Sequence, residues 1–125
     1  MKTKELICIV CPNGCQLEVI YQEEPGIKVI SVSNNLCDKG EAWAASELES
    51  PMRHIASSIL VERGSFKLVS VRTDQPIPLP AIHEVMEAIK KKRVQAPIVM
   101  NQVLIRNPAG VPTNIIATRS VDVLI

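Results

Sequence analysis

Cys8-Ile9-Val10-Cys11-Pro12-Asn13-Gly14-Cys15-Gln16-Leu17-Glu18-Val19-Ile20-Tyr21-Gln22, answered later by Leu36-Cys37-Asp38-Lys39-Gly40, contains every cysteine of the chain. Three thiols this close together, on Cys8, Cys11 and Cys15, cannot be spread along one strand and must wrap around something. Pro12 and Gly14 lie inside that wrap, where glycine permits positive backbone angles and a close approach to a bound group. Directly after it, Leu17, Val19 and Tyr21 alternate with Gln16, Glu18 and Gln22, the period of two that predicts a strand. Glu23-Glu24-Pro25-Gly26 reads as a turn, and Ile27, Val29 and Ile30 restart the apolar pattern. A hairpin is therefore expected over residues 16–22 and 27–33. A strand out and a strand back of similar length return Cys37 to the neighbourhood of Cys15, so the expected result is a four-thiolate cage.

Beyond Cys37, Glu41-Ala42-Trp43-Ala44-Ala45-Ser46-Glu47-Leu48 has good helix formers and no breaker before Pro51, which predicts a short helix. Residues 51–72 read as a connecting arm. It holds the apolar run Ile59-Leu60-Val61, a turn at Arg63-Gly64-Ser65 and a strand from Phe66 to Val71. Pro76, Pro78 and Pro80 then alternate with other residues, which favours an extended polyproline-like segment and stops any strand pairing. A joint between two subdomains, residues 1–72 and 73–125, is expected there. Ile82, Val85, Met86 and Ile89 follow the i, i+3, i+4, i+7 spacing of a single apolar helical stripe. Pro80 suits its first turn and Glu84 its positive amino end, while Lys90-Lys91-Lys92-Arg93 oppose the dipole at its carboxyl end. Ile98–Met100, Val103–Ile105 and Ile115–Thr118 read as strands, with a turn at Asn107-Pro108-Ala109-Gly110. The class is α+β: a cluster-binding β-hairpin subdomain, then an amphipathic helix packed on a small sheet.

Composition removes several functions. The chain has 125 residues, 46% hydrophobic and 22% charged, which is the balance of a folded protein. Fourteen Lys plus Arg against 13 Asp plus Glu leave a formal charge of +1, without the basic excess of a nucleic-acid binder. One Trp, one Tyr and one Phe are too few for a base-stacking platform. No apolar run reaches the roughly 20 residues that span a bilayer, and the apolar stretch before Pro12 is too short for a secretory signal. A cytoplasmic location is expected, and in reducing cytosol clustered cysteines mark metal binding or redox chemistry rather than structural disulfides.

The spacing is Cys-x2-Cys-x3-Cys, then 21 residues, then Cys37. Four thiolates hold either Zn²⁺ or an iron–sulfur cluster. Zinc ribbons usually present two separate Cys-x2-Cys pairs, whereas three ligands on one loop plus a remote fourth is the arrangement of a [4Fe–4S] cube. Radical-SAM enzymes have the gaps in the reverse order. A thioredoxin-like pair at Cys8 and Cys11 would leave Cys15 and Cys37 without a role, and no parallel β-α-β pattern adjoins it. Four inert thiols packed as small hydrophobes are the structural alternative.

The run from Cys8 to Leu17, with Leu36-Cys37-Asp38-Lys39-Gly40, resembles the amino-terminal cluster domain of molybdopterin-dependent oxidoreductases such as formate dehydrogenases. Those proteins share Cys-x2-Cys-x3-Cys, a two-stranded excursion and Cys-x-Lys-Gly. The resemblance continues weakly through Ser50-Pro51-Met52-Arg53. It implies a [4Fe–4S] cluster on Cys8, Cys11, Cys15 and Cys37, with Lys39 and Gly40 beside the cofactor; the family's lysine lies between cluster and pterin. The several hundred residues that bind pterin and molybdenum have no counterpart here, so molybdenum chemistry does not carry over. The whole chain is also similar to a family of small, uncharacterised cysteine-motif proteins. These tend to be encoded beside flavin-dependent dehydrogenases resembling those for glycerol 3-phosphate, which implies an electron-transfer accessory subunit with a flavoprotein dehydrogenase as partner. A zinc-stabilised interaction module without redox activity is the alternative.

No Gly-x-Gly-x-x-Gly or Walker loop signals a nucleotide. His54 and His83 are isolated; His54 follows Arg53 and could approach the cysteine region, though packing is its simpler role. Asp38 is expected to cap the helix. Trp43 is either a core anchor or a shield over the cofactor. The apolar carboxyl end, Val121-Asp122-Val123-Leu124-Ile125, is either an edge that a partner could cover or a core strand closing the second subdomain.

Overall fold

Lys2–Ile7 (β1), Gln16–Gln22 (β2) and Lys28–Ser33 (β3) form an antiparallel sheet in the order β1-β2-β3. The hairpin is therefore where the alternation of Leu17, Val19 and Tyr21 places it. Leu17 and Val19 are buried while Gln16 and Glu18 face solvent, one face in and one face out. Strand β1 was not anticipated: Lys2-Thr3-Lys4-Glu5 has no apolar alternation, and only Leu6 of this strand is withdrawn from solvent. Helix α1, Asp38–Glu49, packs against β3, and Glu49 at its end accepts a hydrogen bond from Val29 N–H at 2.9 Å. That bond satisfies a strand donor beside the β2/β3 bulge.

The computed structural model describes residues 1–124, which divide into two units, Met1–Met52 and the remainder from Arg53. After the two-residue strand Met52–Arg53 (β4), the second unit contains Ala56–Glu62 (β5), Leu68–Thr73 (β6), Ile77–Pro78 (β7), helix Ile82–Lys91 (α2), Arg93–Gln95 (β8), Val103–Arg106 (β9) and Asn114–Ala117 (β10). Its sheet runs β8-β5-β6-β10-β9, antiparallel except for the parallel pair β5 and β8. Helix α2 packs on β5, burying Val85 and Ile89 from the expected stripe, with Ile82 and Met86 half-buried beside them. The chain is an α+β protein. The proline run lies inside this unit, and the expected halt in strand pairing is corrected: Ile77–Pro78 is a paired strand, after which a 3₁₀ turn, Leu79–Ala81, leads into α2.

The expected strand at Ile98–Met100 is corrected to one isolated bridge, Ile98 with Val121, closed by two backbone hydrogen bonds of 2.8 and 2.9 Å. That bridge also decides the carboxyl end. Val121 is buried, Val123 bridges Gly64, and Leu124 N–H donates to Arg63 O at 2.8 Å. The tail is thus clipped to its own unit rather than offered as a free edge; Ile125, part of the same expectation, lies outside the described residues. At the start of β10, Asp74 Oδ1 accepts from Asn114 N–H at 2.8 Å and Thr113 Oγ1–H at 3.1 Å. The Asn114 amide chiefly holds this carboxyl below its ordinary range.

Gly64 is where the clip comes too close for a side chain. A Cβ there would stand 2.6 Å from Val61 Cγ1, 2.9 Å from the Phe66 carbonyl oxygen and 3.0 Å from Val121 Cγ1. Overpacking of this kind costs about 1–3 kcal/mol. Gly64→Ala should lower the thermal midpoint of unfolding by roughly 4–8 °C for each kcal/mol lost, the scale for a unit of this size. An unchanged midpoint in a calorimetric scan would show that the tail is not held as described.

Candidate metal centre

The register of β1 and β2 sets Leu6 opposite Leu17 and Ile7 opposite Gln16. The ladder ends there, and just beyond it Cys8 N–H donates to Cys15 O at 2.9 Å. By the alternation of strand side chains, Cys8 and Cys15 share the inner face with Leu6 and Leu17. Burial agrees: Cys8 belongs to the apolar cluster of Leu17, Val19 and Ala44, and Cys15 packs against it half-buried. Cys11 is half-buried in the loop between them, which Gly14 turns with φ +60°, in the region that favours glycine.

The fourth cysteine opens α1. Cys37 is its N-cap, with extended backbone at φ −153° and ψ 166° and no side-chain capping bond. Its carbonyl accepts from Gly40 N–H at 3.3 Å and from Asn35 Nδ2–H at 3.0 Å. Asp38 is thus corrected from cap to first helical residue, where it and Glu41 still complement the positive helix end. Gly40 is buried, and a Cβ on it would meet Cys8 Sγ at 3.6 Å and Leu17 Cδ2 at 3.8 Å. The first turn of α1 therefore lies directly over Cys8. Lys39, one residue earlier, is exposed.

The fold thus returns the Cys37-Lys39-Gly40 segment to the Cys8 end of the sheet. It does not gather the four sulfurs: Cys37 is exposed, and among the described residues no three His, Cys, Asp or Glu side chains stand together as a ligand set. The donors fit a soft metal group in kind, four free thiols carried by neighbouring segments, while their side chains do not form a closed cage. Asn35, whose amide fixes the Cys37 carbonyl, was not singled out from sequence; the adjacent Asn34-Asn35 pair was the available signal, and Asn34 has φ +69°.

Trp43 packs half-buried against the Cys8, Leu17, Val19 and Ala44 cluster, which gives it the anchoring role. His54 belongs to the second unit, where its Nδ1 lies 3.4 Å from Thr73 Oγ1. His83 is exposed on α2. Among the described residues no helix is long and apolar enough to cross a membrane.

Fold and cysteine placement together define an α+β protein whose small amino-terminal sheet bears a thiol-rich end. The chain belongs to the family described as Protein of unknown function (DUF1667), matched over residues 38–119. The match includes Lys39 and Gly40 and begins just after Cys37. No curated protein and no solved structure matched the chain.

Proposed function

We propose that this chain is an electron-transfer accessory protein that carries a [4Fe–4S] cluster on Cys8, Cys11, Cys15 and Cys37 and serves a flavin-dependent dehydrogenase of the glycerol-3-phosphate type in the cytoplasm. The observation that carries the reading is the thinness of the first unit's core. Its buried apolar cluster consists of Cys8, Leu17, Val19 and Ala44, one of them a thiol. Units this small usually need a metal or a cross-link to be stable, because too little apolar surface leaves water. A metal group bound by the native thiols would add its binding free energy to folding. The likeness of the cysteine spacing to the cluster domain of molybdopterin oxidoreductases favours iron–sulfur over zinc.

When bound, such a cluster supplies one-electron transfer and no substrate chemistry. In this reading Cys8 anchors the site in the apolar core, Gly40 leaves room beside its sulfur, and the exposed Lys39 places a positive charge at the helix start. Co-purification with the dehydrogenase, then anaerobic addition of that enzyme's substrate, tests the role. Bleaching of the visible absorbance is the expected result, and a complex that forms but never becomes reduced would overturn electron transfer. The same thin core is also served by zinc, and a colourless zinc-loaded protein would support the interaction-module reading.

Lys39 gives a separate prediction. An ammonium near a thiolate-ligated cluster favours the more negative, reduced state. Lys39→Ala should retain the cluster and lower its reduction potential in an anaerobic spectroelectrochemical titration. An unchanged potential would assign Lys39 to the solvated surface.

A further inference from the structure

We infer that Cys8 and Cys15 form a reversible cross-strand disulfide, a redox site distinct from the metal reading and from the Cys8/Cys11 pair that the sequence spacing offers. The ladder carries the argument. Cys8 and Cys15 directly follow the last ladder pair, Ile7 and Gln16, and are joined across the strand ends by the 2.9 Å Cys8 N–H to Cys15 O bond. Residues facing each other across an antiparallel pair have Cα atoms about 4.5–5.5 Å apart, within the separations that disulfides span. Their side chains emerge on the same face of the sheet, and Cys15 packs half-buried against the apolar cluster that contains Cys8. Cys11 and Cys37 have no such counterpart: one sits in the loop and the other opens α1.

The oxidant is a small disulfide, and the exchange balances. Cys15 is the accessible partner, half-buried where Cys8 is 4% exposed. Its sulfur attacks one sulfur of the reagent, the reagent's S–S bond breaks, one reagent thiol leaves, and the Cys15 proton passes to it through solvent. Cys8 sulfur then attacks the Cys15 sulfur of the mixed disulfide, expelling the second reagent thiol and passing its proton on in the same way. Two protein thiols are oxidised to one disulfide while one small disulfide is reduced to two thiols. In a reducing compartment such a bond is transient, as redox-sensing disulfides are. While it lasts, it staples the ends of β1 and β2 and withdraws two of the four thiols from any metal.

The test uses the full wild-type chain, reduced and freed of metal by a chelator under conditions in which amide hydrogen exchange shows β1 and β2 still protected, then exposed to oxidised glutathione, alkylated and mapped by peptide mass spectrometry. Because the sheet sets the pair, Cys8–Cys15 should exceed every other pairing by at least about tenfold, with Cys11 and Cys37 recovered alkylated. In concentrated urea the preference should pass to Cys8–Cys11, since the shorter loop closes more readily in an unfolded chain. Dominance of Cys8–Cys11 in the folded chain, glutathione adducts without an internal bond, or a Cys8–Cys15 preference undiminished by urea would each overturn the inference. None of these results depends on which metal, if any, the reduced chain binds.

Discussion

Replacing any one of Cys8, Cys11, Cys15 or Cys37 with Ser should abolish or cripple metal loading of the anaerobically reconstituted chain. A serine oxygen is a hard, weakly acidic donor where iron–sulfur and zinc sites require a soft thiolate. The four substitutions differ in what else they remove, and the structure ranks them. Cys8 is buried against Gly40 and Leu17, so Cys8→Ser disturbs packing as well as ligation. Cys37 is exposed and makes no side-chain capping bond, so Cys37→Ser removes ligation without removing packing. Visible absorbance and iron content of the Cys37→Ser protein are therefore the cleanest reading. Full loading with Cys37 replaced, alongside loss in the other three, would show that the fourth ligand is misassigned.

Ile115→Ala should destabilise the second unit by about 2–5 kcal/mol, the range for removing a large aliphatic side chain from a core that cannot collapse around the gap. Ile115 is fully buried on β10, between β6 and β9, in the cluster that includes Val71, Val85 and Leu104. The ladder to β9 is already irregular there: Ile115 pairs with Ile105 and Ile116 with Val103, leaving Leu104 as the extra residue. Urea unfolding should show a lower midpoint with an unchanged slope. A midpoint shift corresponding to less than about 1 kcal/mol would mean that this face is not the close-packed core described.

The hairpin β2/β3 and the helix α2 were legible because their periodicities are local: Leu17, Val19 and Tyr21 alternate, and Val85 and Ile89 recur at helical spacing. Strands β1 and β8 were not legible for a physical reason. Lys2-Thr3-Lys4-Glu5 is exposed along its length, so its pairing with β2 leaves no hydrophobic pattern, and Arg93–Gln95 is a strand only through its parallel pairing with β5. Helix α1 begins at Asp38, three residues before the stretch of good helix formers from Glu41; the earlier start was not legible because Asp38-Lys39-Gly40 includes a poor helix former. That glycine is instead suited to the contact with Cys8. At the site, spacing returns Cys37 to the neighbourhood of Cys15 in a four-thiolate cage; the fold brings the Gly40 turn over Cys8 but leaves Cys37 exposed and the cage open. Spacing could not foresee the bond from Cys8 N–H to Cys15 O, because that bond depends on β1.

Iron and acid-labile sulfide, measured per chain on protein purified without oxygen, test the central claim most directly. A brown protein with about four of each per chain is predicted, the content of one [4Fe–4S] cluster. A colourless protein with about one zinc per chain, or with neither metal and sulfide, would contradict it.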